Sequence, residues 1–337
     1  MSRIFSGIQP SGELHIGNYL GAVKNWVQLQ REFETIICIV DYHAITLKYD
    51  PAQLRVRRRE MAIGLLSAGI DPNVATLFVQ SRVPEHTELA WILNTVTPLG
   101  ELERQTQFKE KAQRQESVSA GLLNYPVLQA ADILLYRADK VPVGEDQIQH
   151  LELSRVVARR WNNLFGRSTG RIGEDGSEER EAYFPEPEPI LTPTRRIMGL
   201  DGQAKMSKSM GNTIGLLETP DAIWAKLRPA VTDPKRIRKT DPGTPEVCNI
   251  YHLHRGFSQP DTVEHVATQC RSAGWGCIDC KKALAESMER ELVPIRRRAA
   301  ELAQDPKQVD DALAAGAARC RVLARETMDA VRDRMGF

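Results

Sequence analysis

The 337-residue chain predicts an α/β fold, a doubly wound parallel sheet followed by an α-helical C-terminal part. Three observations predict it. Short apolar runs alternate with helix-like stretches over the first 150 residues, the pattern of successive strand–helix–strand units. Each run is only five to seven residues long and closes on a turn or polar residue, as a buried strand does. From Thr219 onward the pattern is largely helical.

Ser2–Ile8 is the first strand, and Pro10-Ser11-Gly12 the turn after it. A helical pattern begins near Gly17, with Ile16, Leu20, Val23 and Val27 at helical spacing. Thr35–Val40 is a second strand, ending at Asp41. Gln53–Ala68 reads as a helix with charge on one face, Ala75–Gln80 as a strand and Glu85–Val96 as a helix. Ligands of such a Rossmann-like sheet bind at the carboxyl ends of strands, near the switch in strand order. That rule selects Ile8-Gln9, Asp41–His43 and Gln80. Residues 166–189 differ: Gly166–Gly170 and Gly173–Glu179 read as a mobile surface insertion, and Pro185, Pro187 and Pro189 stiffen its return. The domain boundary is expected near Leu217, giving parts 1–217 and 218–337, the second with helices at Asp221–Leu227, Asp261–Cys270, Lys281–Ala303 and Gln308–Met335. Arg296-Arg297-Arg298, Arg319, Arg321 and Arg325 make that part basic, suited to nucleic-acid phosphates or equally to solvated helix faces.

A hydrophobic content of 42% suffices for a large core and two domains. The net charge of +1 supplies no global field for nucleic acid, so any RNA contact must be local. No apolar run is long enough to span a bilayer, and Met1-Ser2-Arg3 does not open a signal peptide, so a cytoplasmic location is expected. Six cysteines in that compartment do not suggest disulfides.

Two stretches carry chemistry. Pro10-Ser11-Gly12-Glu13-Leu14-His15-Ile16-Gly17-Asn18 joins a strand to a helix N-terminus, where free N–H groups and the helix dipole favour an anion. Gly17 admits a ligand close to the backbone, and His15 and Asn18 add side-chain donors. Lys205-Met206-Ser207-Lys208-Ser209 places two lysines three apart in a Gly-flanked loop, where both reach a triphosphate. Alone, the first is equally an ordinary turn and the second a solvated basic loop. Together, in this order, they resemble the two signatures of class I aminoacyl-tRNA synthetases.

Phe5–Pro10, Asp41–Thr46, Gly100-Glu101-Leu102-Glu103-Arg104 through Lys111, residues 123–136 and Val141–His150 are similar to bacterial tryptophanyl-tRNA synthetases. The resemblance implies ATP binding by Gln9, Pro10, Ser11, Gly17, Asn18, Gly144, Glu145, Asp146 and Ile197, with Lys205, Met206, Ser207, Lys208 and Ser209. His15, Asn18, Lys111, Lys205 and Lys208 would be catalytic, the lysines on the phosphates, and Mg²⁺ would arrive with the nucleotide. Asp132 would accept the indole N–H, the single donor on that ring. Phe5, Gly7, Val141 and Val143 would enclose the ring, and Tyr125, Gln129 and Gln147 would line the pocket or hold the amino group, with His43 nearby. Gln129 is a departure, since similar bacterial enzymes often carry Met there. The implied partners are L-tryptophan, ATP, tRNA(Trp) and a second copy of the chain. The tyrosine-specific sister enzyme and a non-catalytic paralogue are the competing readings. Asp132 and the Gly144–Gln147 tract stand against the first, and the intact ATP motifs against the second.

Cys248, Cys270, Cys277 and Cys280 form C-x21-C-x6-C-x2-C, a metal-site pattern open to tetrahedral Zn²⁺ or an iron–sulfur cluster. Similarity of the 274–282 tract to one subgroup of the family implies a 4Fe–4S cluster. Cys38 and Cys320 are expected in the core.

Overall fold

The computed structural model describes residues 2–113, 117–144, 147–173, 176, 178–191 and 197–337. Within them the strands are β1 (Arg3–Ile8), β2 (Glu34–Ile39), β3 (Thr76–Val79), β4 (Lys140–Val143), β5 (Ser168–Ile172), β6 (Glu178–Arg180) and β7 (Glu188–Leu191). The helices are α1 (Ile16–Asn18), α2 (Lys24–Leu29), α3 (Asp41–Ala44), α4 (Pro51–Ser67), α5 (Glu85–Asn94), α6 (Leu99–Glu103), α7 (Thr106–Ala112), α8 (Ala120–Leu134), α9 (Ile148–Phe165), α10 (Pro220–Leu227), α11 (Asn249–Phe257), α12 (Pro260–Arg271), α13 (Cys277–Gln304) and α14 (Pro306–Met335). A π-helical turn, Tyr19–Val23, joins α1 to α2.

Five strands form one sheet in the order β3-β2-β1-β4-β7, with every pairing parallel. The order reverses direction between β1 and β4, and that switch opens a cleft at their carboxyl ends. The two-residue period of a strand sorts β2 between two cores. Ile37 and Ile39 pack with Leu14, Ile16, Leu20 and Leu65 on one face. Ile36 and Cys38 pack with Phe5, Phe78 and Leu93 on the other. Both faces are covered, so β2 reads as a continuous apolar run after Glu34. Local signals fix the flanking helices. Asp50 caps α4 by accepting from Ala52 N–H, with Pro51 at the first helical position, and Ser119 caps α8 by accepting from Leu122 N–H.

The expected strands and helices of the first half are present within one or two residues. Two long-range features were not read from the sequence. Residues 166–189 include an antiparallel ribbon, β5 with β6, and end inside β7, the edge strand of the main sheet. Pro189 pairs with Val141 there, a position where an edge strand tolerates a missing N–H. Both core layers draw residues from either side of Leu217. Leu216, Ile223, Leu284, Met288 and Leu292 share the first layer with Ile16 and Leu65, and α14 adds Ala317, Cys320, Ala324 and Met328 to the second.

The arginines of α13 and α14 follow from this return. Arg319 donates to Pro72 O (2.9 Å), Arg321 to Arg82 O (3.0 Å) and Arg296 to Glu218 O (3.1 Å). The first two tie α14 to the sheet part, the third ties α13 to the segment before α10, and the three do not form a free phosphate-facing row. The helices α9 and α11 lie where the sequence reading placed no element.

A Cβ on Gly316 of α14 would overlap the backbone carbonyl of Leu77 in β3. Neither backbone can yield without breaking the sheet or the helix, so Gly316→Ala is expected to destabilise the fold by about 1–3 kcal/mol. A lowered urea midpoint at unchanged m-value would show it, and an unchanged midpoint would show that α14 can lift away freely.

Candidate active site

At the carboxyl end of β1 the chain turns through Gln9, Pro10 and Ser11, with Ser11 N–H donating to Gln9 O at 2.8 Å. Gly12 takes φ +135°, and a Cβ on it would lie 2.6 Å from the Lys208 Nζ. The ammonium of the second motif therefore sits directly over the turn of the first. His15 and Asn18 cap each other: Asn18 N–H donates to His15 Nδ1 (3.3 Å) and His15 N–H to Asn18 Oδ1 (3.4 Å). Gly17 is pressed between the two motifs, since its Cβ would meet His15 Nδ1 at 2.9 Å and Met206 Cβ at 3.2 Å. Ile16 N–H donates to Ile214 O (2.9 Å) and Leu216 N–H to Leu14 O (2.7 Å), which stitches the two segments together.

Two asparagines that sequence reasoning missed shape the Lys-rich loop. Asn212 accepts from Ser207 N–H (2.8 Å) and donates to Asp201 Oδ2 (3.0 Å). Asn249, at the start of α11, donates to Gly199 O (2.9 Å) and Met198 O (3.3 Å). Met206 N–H donates to Ile197 O (3.0 Å), so the loop folds back on the residue expected to touch the nucleotide. Nothing in the sequence marks Asn249 beyond its place beside Cys248.

Burial, and then the charges of Lys208 and Lys205, push the His15 imidazole down to about 4. The ring is neutral at pH 7. Its Nδ1 accepts from Asn18, so Nε2 carries the proton and is its one donor. Burial also lowers Lys208, against the opposing pull of Glu13 and Glu60. Two cations and a neutral donor at a helix start form a polyanion site. Gly144 closes β4 across the switch point, with Gln147 N–H donating to its carbonyl at 3.0 Å. Glu145, Asp146 and the side chains of Lys111 and Ser209 lie outside the described residues.

The other side of the cleft centres on Asp132, which is 1% exposed on α8. Tyr125, Gln129 and Asp132 are spaced four and three apart along that helix and share a face. Gln80 Nε2 donates to Asp132 Oδ1 (2.6 Å), His86 Nδ1 lies 2.6 Å from the same oxygen, and His43 Nε2 lies 2.8 Å from Oδ2. Burial alone would raise the Asp132 pKa, but the hydrogen bonds to His43 and His86 outweigh it and hold the carboxyl below its ordinary value. Gln80 Oε1 accepts from Tyr42 N–H (3.0 Å), which carries the network to the end of β2. Asp41 is held by Ser81 and Arg58. The Tyr125 hydroxyl is 2.9 Å from His150 Nε2, and its ring stands edge-on to His43. Val141 and Val143 are buried on β4, Phe5 stacks on Tyr136 at 5.7 Å, and Gly7 pairs with Cys38 in the floor of the cleft. Gln80 was expected at a strand end, but its bond to Asp132 was not, nor were His86 and Tyr136.

Cys248, Cys270, Cys277 and Cys280 line one pocket between α11, α12 and α13, with Asp233, Arg236 and Trp275. Burial first, and then the negative charge of the other three, pushes the Cys280 thiol up to about 12. Among the described residues no three Cys, His, Asp or Glu side chains converge on a point that a single metal ion would occupy. Cys38 and Cys320 are fully buried in the second core, as expected.

Residues 1–293 match the family described as tRNA synthetases class I (W and Y). The chain is 51% identical over 341 residues to the tryptophan–tRNA ligase of Deinococcus radiodurans, covering 100% of this chain and 99% of that protein. It is 46% identical to the tryptophan–tRNA ligase of Parasynechococcus marenigrum, over 99% of this chain and 98% of that one. The crystal structure of tryptophanyl-tRNA synthetase from Campylobacter jejuni, complexed with ADP and tryptophan, superposes with a TM-score of 0.84 at 36% identity, over 99% of this chain and 100% of that one. With two motifs meeting over the end of β1, and with these likenesses, the chain belongs to the class I tRNA synthetases of the tryptophan and tyrosine group.

The lowered His15 value sets a sign for acid sensitivity. Unfolded His15 takes a proton below about 6.5 and the folded residue only below about 4. Its contribution to stability is therefore complete above pH 6.5 and is lost as pH falls from 6.5 through 4. In NMR titrations the His15 ring is expected to change state near pH 4. Lys208→Ala should raise that midpoint only part of the way to 6.5, since burial is the larger cause. A wild-type midpoint near 6.5 would mean a solvated ring.

Proposed function

We propose that the protein is a tryptophan–tRNA ligase, which activates L-tryptophan with ATP to tryptophanyl-AMP and pyrophosphate and then passes tryptophan to the 3′-terminal ribose of tRNA(Trp). The observation that carries this reading is the seating of Lys208 over Gly12 and of Met206 against Gly17, beside a sealed, ionised Asp132. ATP would lie across the turn Gln9–Ser11 and Gly17–Asn18, with Gly144 opposite and Ile197 at the loop. The neutral His15 donates from Nε2, while Lys205 and Lys208 stabilise charge that develops on the leaving pyrophosphate. The tryptophan carboxylate attacks the α-phosphate in line, with no covalent enzyme intermediate, so rate comes from positioning and electrostatics. Mg²⁺ enters with the nucleotide.

Asp132 accepts the indole N–H, and the buried bond discriminates: a site built around one rejects an analogue lacking it by roughly 10⁴–10⁵-fold. Phe5, Gly7, Val141 and Val143 surround the ring, and Tyr125, Gln129, Gln147 and His43 frame the amino-acid end. In functional terms the 1–217 part activates tryptophan and the 218–337 part receives tRNA. The enzyme works in the cytoplasm as a homodimer, a reading supported by Trp91, 74% exposed on α5, and by Leu99, exposed on the neighbouring α6. Among the described residues no helix is long and apolar enough to cross a membrane.

Cys248, Cys270, Cys277 and Cys280 would hold a 4Fe–4S cluster, with Zn²⁺ as the alternative. Four thiols around one pocket could serve either group, and the likeness of the 274–282 tract to one subgroup of the family favours the cluster. When bound, the group would supply cross-linking of the Cys248 segment to α12 and α13.

ATP–pyrophosphate exchange tests the activity: exchange with tryptophan and none with tyrosine is expected, and Lys208→Ala should lower kcat roughly a hundredfold. Exchange driven by tyrosine, or by neither amino acid, would overturn the assignment. For the thiol site, protein purified without oxygen should carry iron and acid-labile sulfide at about four each per chain. Cys277→Ser should lose both and weaken tRNA charging more than exchange. Zinc near one per chain without sulfide would replace the cluster by a Cys₄ zinc site.

A further inference from the structure

We infer that His86 is a positioning residue for substrate recognition: it locks the Asp132 carboxylate so that a single acceptor position, on Oδ2, is left for the ligand. The inference rests on the reading that Asp132 accepts the indole N–H. Each carboxylate oxygen offers about two acceptor positions. On Oδ1 both are taken, by Gln80 Nε2 and His86 Nδ1, each at 2.6 Å. On Oδ2 one is taken, by His43 at 2.8 Å. The His43 and Tyr125 rings lie 6.3 Å apart, so Oδ2, which His43 holds, lies on the Tyr125 side of the network.

His86 is 0% exposed and cannot turn. Its ring stacks on Phe78 at 5.7 Å with an interplanar angle of 26°, and Tyr136 stands against it at 61°. A carboxylate only accepts, so Nδ1 carries the ring proton. Nε2 is then the acceptor, and the Tyr136 hydroxyl donates to it at 2.7 Å. The chain Tyr136 O–H, His86 Nε2, His86 Nδ1–H, Asp132 Oδ1 fixes one tautomer and one carboxylate plane. Tyr136 is itself held by stacking on Phe5. Without the Nδ1–H, Oδ1 regains an empty lone pair and the carboxylate can rotate toward Gln80, which moves the Oδ2 acceptor off the indole.

The test is exchange kinetics with tryptophan and with its analogue bearing sulfur in place of the ring N–H, on folded variants checked by thermal melts. His86→Leu should raise KM for tryptophan about tenfold or more, the worth of one hydrogen bond to a charged group, with kcat and the KM for the analogue little changed. His86→Asn keeps an amide N–H near the Nδ1 position and should restore most of the preference for tryptophan. Should the leucine variant not fold, Tyr136→Phe reads the same effect, a smaller rise confined to tryptophan. Equal KM rises for both substrates, or none for tryptophan, would overturn the inference. Asp132→Ala, which removes the side-chain acceptor altogether, separates the two readings. If it keeps the preference for tryptophan, the role of Asp132 itself fails. If it abolishes the preference while His86→Leu leaves it intact, only the role of His86 fails.

Discussion

An ionised carboxylate sealed between a helix and a sheet must be matched at nearly every lone pair, and that demand organises the substrate end of this fold. Unpaired burial of a charge costs several kcal/mol. Asp132 meets three partners from three elements: His43 from α3, Gln80 from the end of β3 and His86 from α5. Two of the three are held in turn, Gln80 by Tyr42 N–H and His86 by Tyr136. The carboxyl ends of β2 and β3 and one face of α5 are thereby fixed relative to α8. A helix shift would strand a buried charge, so the surroundings of Asp132 are rigid.

The lysine side of the cleft follows the opposite principle. Lys205 and Lys208 approach a buried, neutral His15, and the counter-charges acting on Lys208, Glu13 and Glu60, do not cancel the burial penalty. Positive charge is left undercompensated until a polyanion arrives. The lysines ride on a loop that Asn212 and Asn249 help to shape, whereas Asp132 sits within helix α8. One half of the cleft is preorganised by saturated hydrogen bonds, and the other is poised by an unmet charge that the ATP phosphates would meet.

Much of this was readable in the sequence, and the failures have physical causes. The strands of the first half are recoverable because helices cover both faces and force continuous apolar runs. The anion site is recoverable because turn, glycine and helix start are consecutive. Edge strand β7 was hidden by its prolines, which an edge tolerates and a central strand does not. The reach of the C-terminal helices was hidden because an amphipathic helix shows that it packs, not on what. Gly316 was the one local hint, a small residue within a long helix, and it lies where α14 touches the Leu77 backbone. His86 carries no signal of its own, since a buried histidine within a helix is ordinary until its partner across the fold is known.

The thiol pocket and the ATP loop share a wall. Cys248 and Asn249 are consecutive: one side chain faces the pocket of four thiols, and the other holds Met198 and Gly199 at the root of the Lys-rich loop. On the far side, Cys280 is followed by Lys281, whose buried ammonium donates to the carbonyls of Arg228 (2.8 Å) and Ala230 (2.6 Å). Val231 N–H then donates to Leu200 O (2.9 Å), back on the same loop. Two backbone routes thus leave the cysteine segments and both end at residues 198–200. A cross-link drawn through the four sulfurs would limit the freedom of α11 and α13 together, and through them the resting position of Lys205 and Lys208. A group bound in the pocket would therefore bear on the geometry of the Lys-rich loop as well as on the helical part that surrounds it.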